Sequence, residues 1–93
     1  MTPDDLRRAG EAIYGPEWQR ALARGLGPLH PEGARQAIDD SLVRKWSRGA
    51  RPIPAWVAGA LPVLLDDAAA EYADRAVELR GMAEDLRSAA AGE

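Results

Sequence analysis

Cysteine and phenylalanine are absent from the 93 residues, and histidine occurs once. Without cysteine the chain has no disulfide framework and no thiolate metal site. A lone histidine would leave any metal to carboxylates, and none of these cluster suitably, so no metal or cofactor is expected. Without phenylalanine, the core falls to leucine, valine, isoleucine and the three tryptophans. No run approaches the roughly 20 apolar residues of a membrane span, and no signal-peptide pattern opens the chain; a cytoplasmic protein is the expectation. Nucleophile–base pairs, phosphate-binding loops and metal clusters are also missing, which argues against an enzyme. The length fits one small domain, or a smaller one with an appended helix.

What is present is an uneven distribution of charge. The net charge is −3, which at first sight disfavours a nucleic-acid partner. Residues 1–56 nevertheless carry nine basic and seven acidic side chains, and residues 57–93 three basic and eight acidic ones. The balances are therefore +2 and −5. Arg44, Lys45, Arg48 and Arg51 follow one another with no anion between them. Affinity for DNA responds to the cluster facing the phosphates, within a Debye length of about 8–10 Å, more than to the total.

Thr2-Pro3-Asp4-Asp5 is a helix start: a hydroxyl cap, proline in the first turn, and carboxylates at the positive dipole end. Leu6, Ala9 and Ile13 then recur at helical spacing, which predicts a first helix from about 3 to 14. A second, from about 16 to 25, places Trp18, Ala21, Leu22, Gly25 and Leu26 inward, with Gln19, Arg20 and Arg24 outward. Residues 28–37, with two prolines and Gly33, read as a loop with one helical turn at most, the alternative being a short helix opened by Pro31-Glu32 and continuing to Ala37; His30 reads as a loop residue. From Asp39 or Asp40, either of which suits a cap, a third helix carries Leu42, Val43 and Trp46 on one side and Arg44, Lys45 and Arg48 on or near the other. Gly49 supplies the left-handed residue that closes it. Pro54 opens a fourth helix with Trp56, Val57, Ala60, Leu61, Leu64 and Leu65 inward. Pro62 inside that run predicts a kink, or a break between two helices near 59–62.

From Val63 to Ala91 the composition is helical throughout. Leu65, Tyr72, Leu79 and Leu86 recur every seven residues, and Ala69, Ala76, Ala83 and Ala90 repeat four residues later. The neighbouring position, Ala68, Arg75, Met82 and Ala89, is only partly apolar. This narrow seam, roughly 40 Å long at 1.5 Å per residue, outruns what a four-helix core covers. Either it folds back on its own domain or it self-associates through Leu65, Tyr72, Leu79, Met82 and Leu86; the length favours self-association. The expected architecture is all-α: a small bundle of four to five helices with a long C-terminal helix, divided into residues 1–61 and 62–93.

The second and third helices together resemble the helix-turn-helix of the Cro and phage-repressor type. Ala23 fits the small residue at the helix crossing, Gly27 the turn glycine and Ile38 the apolar turn residue. Val43 and Trp46 fit the two anchors of the recognition helix. Residues 46–54, Trp-Ser-Arg-Gly-Ala-Arg-Pro-Ile-Pro, look like the W-x-x-G-x-x-x-x-P ending common in that family. The resemblance covers roughly residues 3–61 and departs in one respect: ten residues, 28–37, separate the turn glycine from the apolar residue that should follow it.

The resemblance implies a helix-turn-helix DNA-binding domain whose third helix enters the major groove of double-stranded DNA. Asp40, Ser41, Arg44 and Lys45 then face the bases, with Arg44 suited to the O6 and N7 of guanine. Gln19, Arg48 and Arg51 face phosphates. The implied protein is a homodimeric transcriptional regulator, a repressor of bacterial or phage type acting at the nucleoid. A second reading is an interaction module, such as an antitoxin or adaptor, whose acidic C-terminal helix binds another protein.

Overall fold

A computed structural model of the chain describes residues 1–92. Its elements are α1 (Pro3–Tyr14), α2 (Trp18–Leu26), a 3-10 turn (Gly27–Leu29), α3 (Asp40–Ser47) and α4 (Ala55–Ala91). The fold is all-helical: three short helices surround the first two turns of a long fourth. Among the described residues, no helix is long and apolar enough to cross a membrane.

The local start and stop chemistry is realised closely. Thr2 Oγ1 accepts from the backbone N–H of Asp5 at 3.1 Å, and Asp5 Oδ2 accepts from the N–H of Thr2 at 3.0 Å. This reciprocal pair satisfies two N–H groups that the helix leaves free. At α3 it is Asp39 that caps, accepting from the Ser41 N–H at 2.9 Å. The other end of α3 closes with Gly49 at φ +73°. There the Gly49 N–H donates to the Trp46 carbonyl at 3.1 Å and the Ala50 N–H to the Lys45 carbonyl at 2.8 Å. These two bonds form a Schellman closure, which needs a left-handed residue at this position.

Leu6, Trp18, Leu22, Ala23, Leu26, Val43, Trp46, Val57, Ala60 and Leu61 form a single core drawn from all four helices. The helically spaced apolar residues of α1, α2, α3 and the start of α4 thus share one interior. Trp18 seats its ring on Gly10, where a Cβ would fall 2.7 Å from Cδ2 of the indole, so α1 and α2 meet closely. Ala21 and Trp56, expected inward, are only partly covered, and α2 begins at Trp18 rather than at residue 16.

Of the two outcomes expected at Pro62, the break into two helices does not occur: α4 runs from Ala55 to Ala91 with Pro62 inside it. Pro62 is exposed, so water can reach the Ala58 carbonyl that it leaves unpaired. Residues 28–37 form a loop with one helical turn, as expected: it is the 3-10 turn Gly27–Leu29, directly continuing α2, and the alternative short helix from Pro31 does not form.

Beyond Leu64, α4 leaves the body of the protein. Tyr72, Val77, Leu79, Met82 and Leu86 are all exposed, so the helix does not fold back, and the molecule measures 62 × 26 × 18 Å. The large apolar side chains of its projecting part are thus open to solvent.

Candidate nucleic-acid interface

The site begins with the closure of the loop between α2 and α3. The Ile38 N–H donates to the carbonyl of Ala23, inside α2, at 3.0 Å, and the Arg35 N–H donates to the Gly27 carbonyl at 3.0 Å. Residues 28–37 therefore leave the end of α2 and return to it, so Ile38 docks as though it followed Gly27 directly. The pinch point is tight. A Cβ on Gly27 would lie 2.6 Å from the Arg35 carbonyl oxygen and 2.7 Å from both N and Cα of Ala37. Gly27 has φ −52°, so glycine is needed here for close backbone approach and not for a left-handed turn. It stands at the turn, as the cap of α2 and the first residue of the 3-10 turn. Ala23, whose carbonyl takes the Ile38 bond, is buried, at 2% exposed.

With α3 fixed against α2 in this way, their outer sides form one basic groove. Gln19, Arg20 and Arg24 from α2 line it together with Arg44 from α3, and Glu17 at the start of α2 is its one acidic lining residue. Asp40 lies at its edge, with Oδ2 3.3 Å from Nη2 of Arg44 and 3.8 Å from Nε of Arg20. Both arginines are mostly exposed, at 56% and 72%, so these pairs are screened and contribute little stability. What Asp40 does is hold two guanidinium groups over one groove. Its expected part as a base-contacting acceptor meets competition from these two arginines.

The other expected contacts spread along α3. Ser41 and Lys45 are partly exposed on its outer side. Arg48 is exposed at its C-cap, its N–H donating to the Arg44 carbonyl at 3.1 Å. Ser47 Oγ donates to the same carbonyl at 2.8 Å. Arg51 stands apart from the groove, at the far end of α3. It borders a cleft lined by Leu42, Trp46 and Trp56 and closed on the loop side by His30. The His30 and Trp56 rings lie 5.0 Å apart at 57°. The structure thus gathers Gln19 and Arg44, leaves Arg48 and Arg51 at the opposite end of α3, and adds Arg20 and Arg24. These two were outward-facing in the sequence pattern; one turn apart on the side of α2 that precedes the turn, they had a readable signal.

Electrostatics at the helix start favour a fixed α3. Hydrogen bonds from the backbone and side chain of Ser41 hold the Asp39 carboxyl below its ordinary value of 3.8, with Lys45 and Arg44 adding to the effect. The carboxylate is therefore ionised throughout the neutral range and keeps the cap in place. The expected seam residues Leu65, Tyr72, Leu79, Met82 and Leu86 all lie on the free surface of α4, with Leu65 the least exposed at 38%.

These observations define an all-helical protein with a two-helix basic groove and a projecting, apolar-seamed helix. Comparison with protein families, with curated proteins and with solved structures finds no match.

Proposed function

We propose that the chain is a sequence-specific, homodimeric DNA-binding regulator, a repressor of bacterial or phage type acting at the cytoplasmic nucleoid. The observation that carries this reading is the Ile38–Ala23 hydrogen bond. It sets α3 directly behind α2 despite the ten intervening residues, and so supports a helix-turn-helix with an excursion in its turn. α3 enters the major groove with its N-terminal half toward the bases. Arg44 reads guanine through two parallel hydrogen bonds, and Ser41 and Lys45 contact neighbouring base edges. Arg20 and Arg24, with Gln19, engage one flanking backbone, and Arg48 and Arg51 the other. Asp40 exchanges its arginine partners at little cost, because both pairs are exposed. The net acidity of α4 lies mainly in Asp66, Asp67 and Glu71, beyond the buried turns that end at Leu61 and outside the lining of the α2–α3 groove.

The test is a salt titration on DNA taken from upstream of the chain's own gene. If each protomer neutralises about four phosphates, log Kobs falls with log[salt] at a slope of about −7 for the dimer. A flat dependence, or equal affinity for a scrambled fragment, overturns the reading.

A further inference from the structure

Beyond Leu64 the exposed helix carries a pattern that specifies more than association. Taking Leu65, Tyr72, Leu79 and Leu86 as one heptad position and Ala69, Ala76, Ala83 and Ala90 as the other gives eight successive seam positions, alternately large and small. We propose that α4 pairs with α4 of a second copy of this chain in an antiparallel sense, centred between Val77 and Glu78. The proposal rests on the homodimer reading above and fixes its geometry.

Two features select this arrangement over a parallel one. The first is volume. In an antiparallel pair with this centre, Ala76 meets Leu79 of the partner subunit, and Ala69 meets Leu86 of the partner subunit. Tyr72 meets Ala83 of the partner subunit, and Leu65 meets Ala90 of the partner subunit. Every layer holds one large and one small side chain, so a single close interhelical distance suits all of them. A parallel pair instead stacks alanine on alanine and leucine on leucine in alternation, and no single spacing fills both.

The second feature is charge beside the seam. Antiparallel pairing places Asp66 against Arg87 of the partner subunit, twice by symmetry, and lays Arg75 along Met82 of the partner subunit. Parallel pairing sets Arg75 against Arg80 of the partner subunit, also twice, which is repulsive. The register is fixed as well. A slip of one heptad toward the C-terminus opposes Arg80 to its own copy. The reverse slip carries Leu86 of the partner subunit onto Pro62 and sets Ala90 of the partner subunit on Ala58, a layer of two small side chains beside the bundle.

The body of the protein is shaped for this end. Leu65 lies in an open groove between α4 and the outer side of α1, bordered by Asp5, Arg8 and Ala12. The tail that arrives there, Ser88-Ala89-Ala90-Ala91, has only small side chains. The two bundles then stand at opposite ends of the paired helices, each about 30 Å from the two-fold axis at 1.5 Å per residue. The two basic grooves are separated by roughly two turns of B-DNA, a spacing that a dimer uses on repeated half-sites.

The chain has no native cysteine, so one introduced cysteine carries one spin label per protomer. Ala91→Cys and Ala70→Cys both lie on the side of α4 away from the seam. Pulsed dipolar spectroscopy on the full-length protein should give a label separation above about 40 Å at 91 and a clearly shorter one at 70. A parallel dimer gives the same distance, about 20 Å, at both positions, which overturns the orientation while keeping the homodimer. Absence of any dipolar coupling at high protein concentration overturns the homodimer itself, and leaves DNA binding to its own test. Arg87→Asp should weaken the dimer about tenfold in sedimentation equilibrium, and the double exchange Asp66→Arg with Arg87→Asp should restore it. Lack of restoration contradicts the proposed neighbours.

Discussion

Gly27→Ala is the substitution that most directly strains the loop closure. In an ordinary helix end with φ −52°, alanine would be favoured over glycine by up to about 1 kcal/mol. Here the added methyl meets the backbone of Arg35 and Ala37 at 2.6–2.7 Å, and backbone cannot rotate away as a side chain can. Overpacking of this kind costs about 1–3 kcal/mol. Displacing residues 35–37 also strains the Arg35–Gly27 and Ile38–Ala23 hydrogen bonds, each at 3.0 Å and each worth about 1 kcal/mol. The net loss is about 2–4 kcal/mol, a large share of the roughly 5–15 kcal/mol available to a small domain. Urea unfolding followed by circular dichroism measures it as a lower midpoint. Gly59→Ala is the control: a Cβ there meets nothing within 4 Å, so α4 should gain up to about 1 kcal/mol. If Gly27→Ala unfolds at the same urea concentration as the parent or higher, the loop does not close on Gly27, and the account of how α3 is presented fails.

Arg44→Ala should relax sequence preference at a cost of about 1–3 kcal/mol, whereas Arg48→Ala should weaken all sites alike; equal behaviour in a competition assay would refute the division between base and phosphate contacts. Leu79→Glu places a charge at the middle of the seam, and sedimentation should show the monomer mass; an unchanged dimer mass counts against the seam. The carboxyls of Asp5 and Asp39 are both lowered by their cap hydrogen bonds. Their contribution to stability is therefore present above the ordinary carboxylate value near 3.8 and is lost as pH falls through the lower folded value. Asp39→Asn keeps a cap without the titration, so its stability should change less between pH 5 and pH 2 than that of the parent; identical pH profiles would contradict this.

Local chemistry was the legible part of the chain. The Thr2 and Asp5 cap, Asp39, and the left-handed Gly49 each depend on neighbours within a few residues, and each appears where the sequence indicates. The core was legible for the same reason: Leu6, Leu22, Val43, Trp46, Val57 and Leu61 announce themselves by helical spacing. At Pro62 the cost was readable but not its consequence, because the helix continues through an exposed proline whose lost bond water can replace. The role of Gly27 and the Ile38–Ala23 bond arise between segments separated by a ten-residue loop, and no short-range pattern encodes such closure. Arg20 shows the same limit at the site. Its outward direction was readable, but the Asp40 carboxylate that holds it beside Arg44 comes from the next helix. The free state of the long helix was half legible: the seam showed a surface in need of a partner, and the structure shows that its own bundle does not supply one.

The central claim is that the α2–α3 groove reads DNA sequence. The most direct measurement is a footprint of the parent protein and of Arg44→Ala across the DNA upstream of its gene. The account expects two protected half-sites related by symmetry, their centres about two helical turns apart, with protection by Arg44→Ala losing its sequence preference. Uniform protection along the fragment, or a footprint that Arg44→Ala leaves unchanged in position and strength, would contradict it.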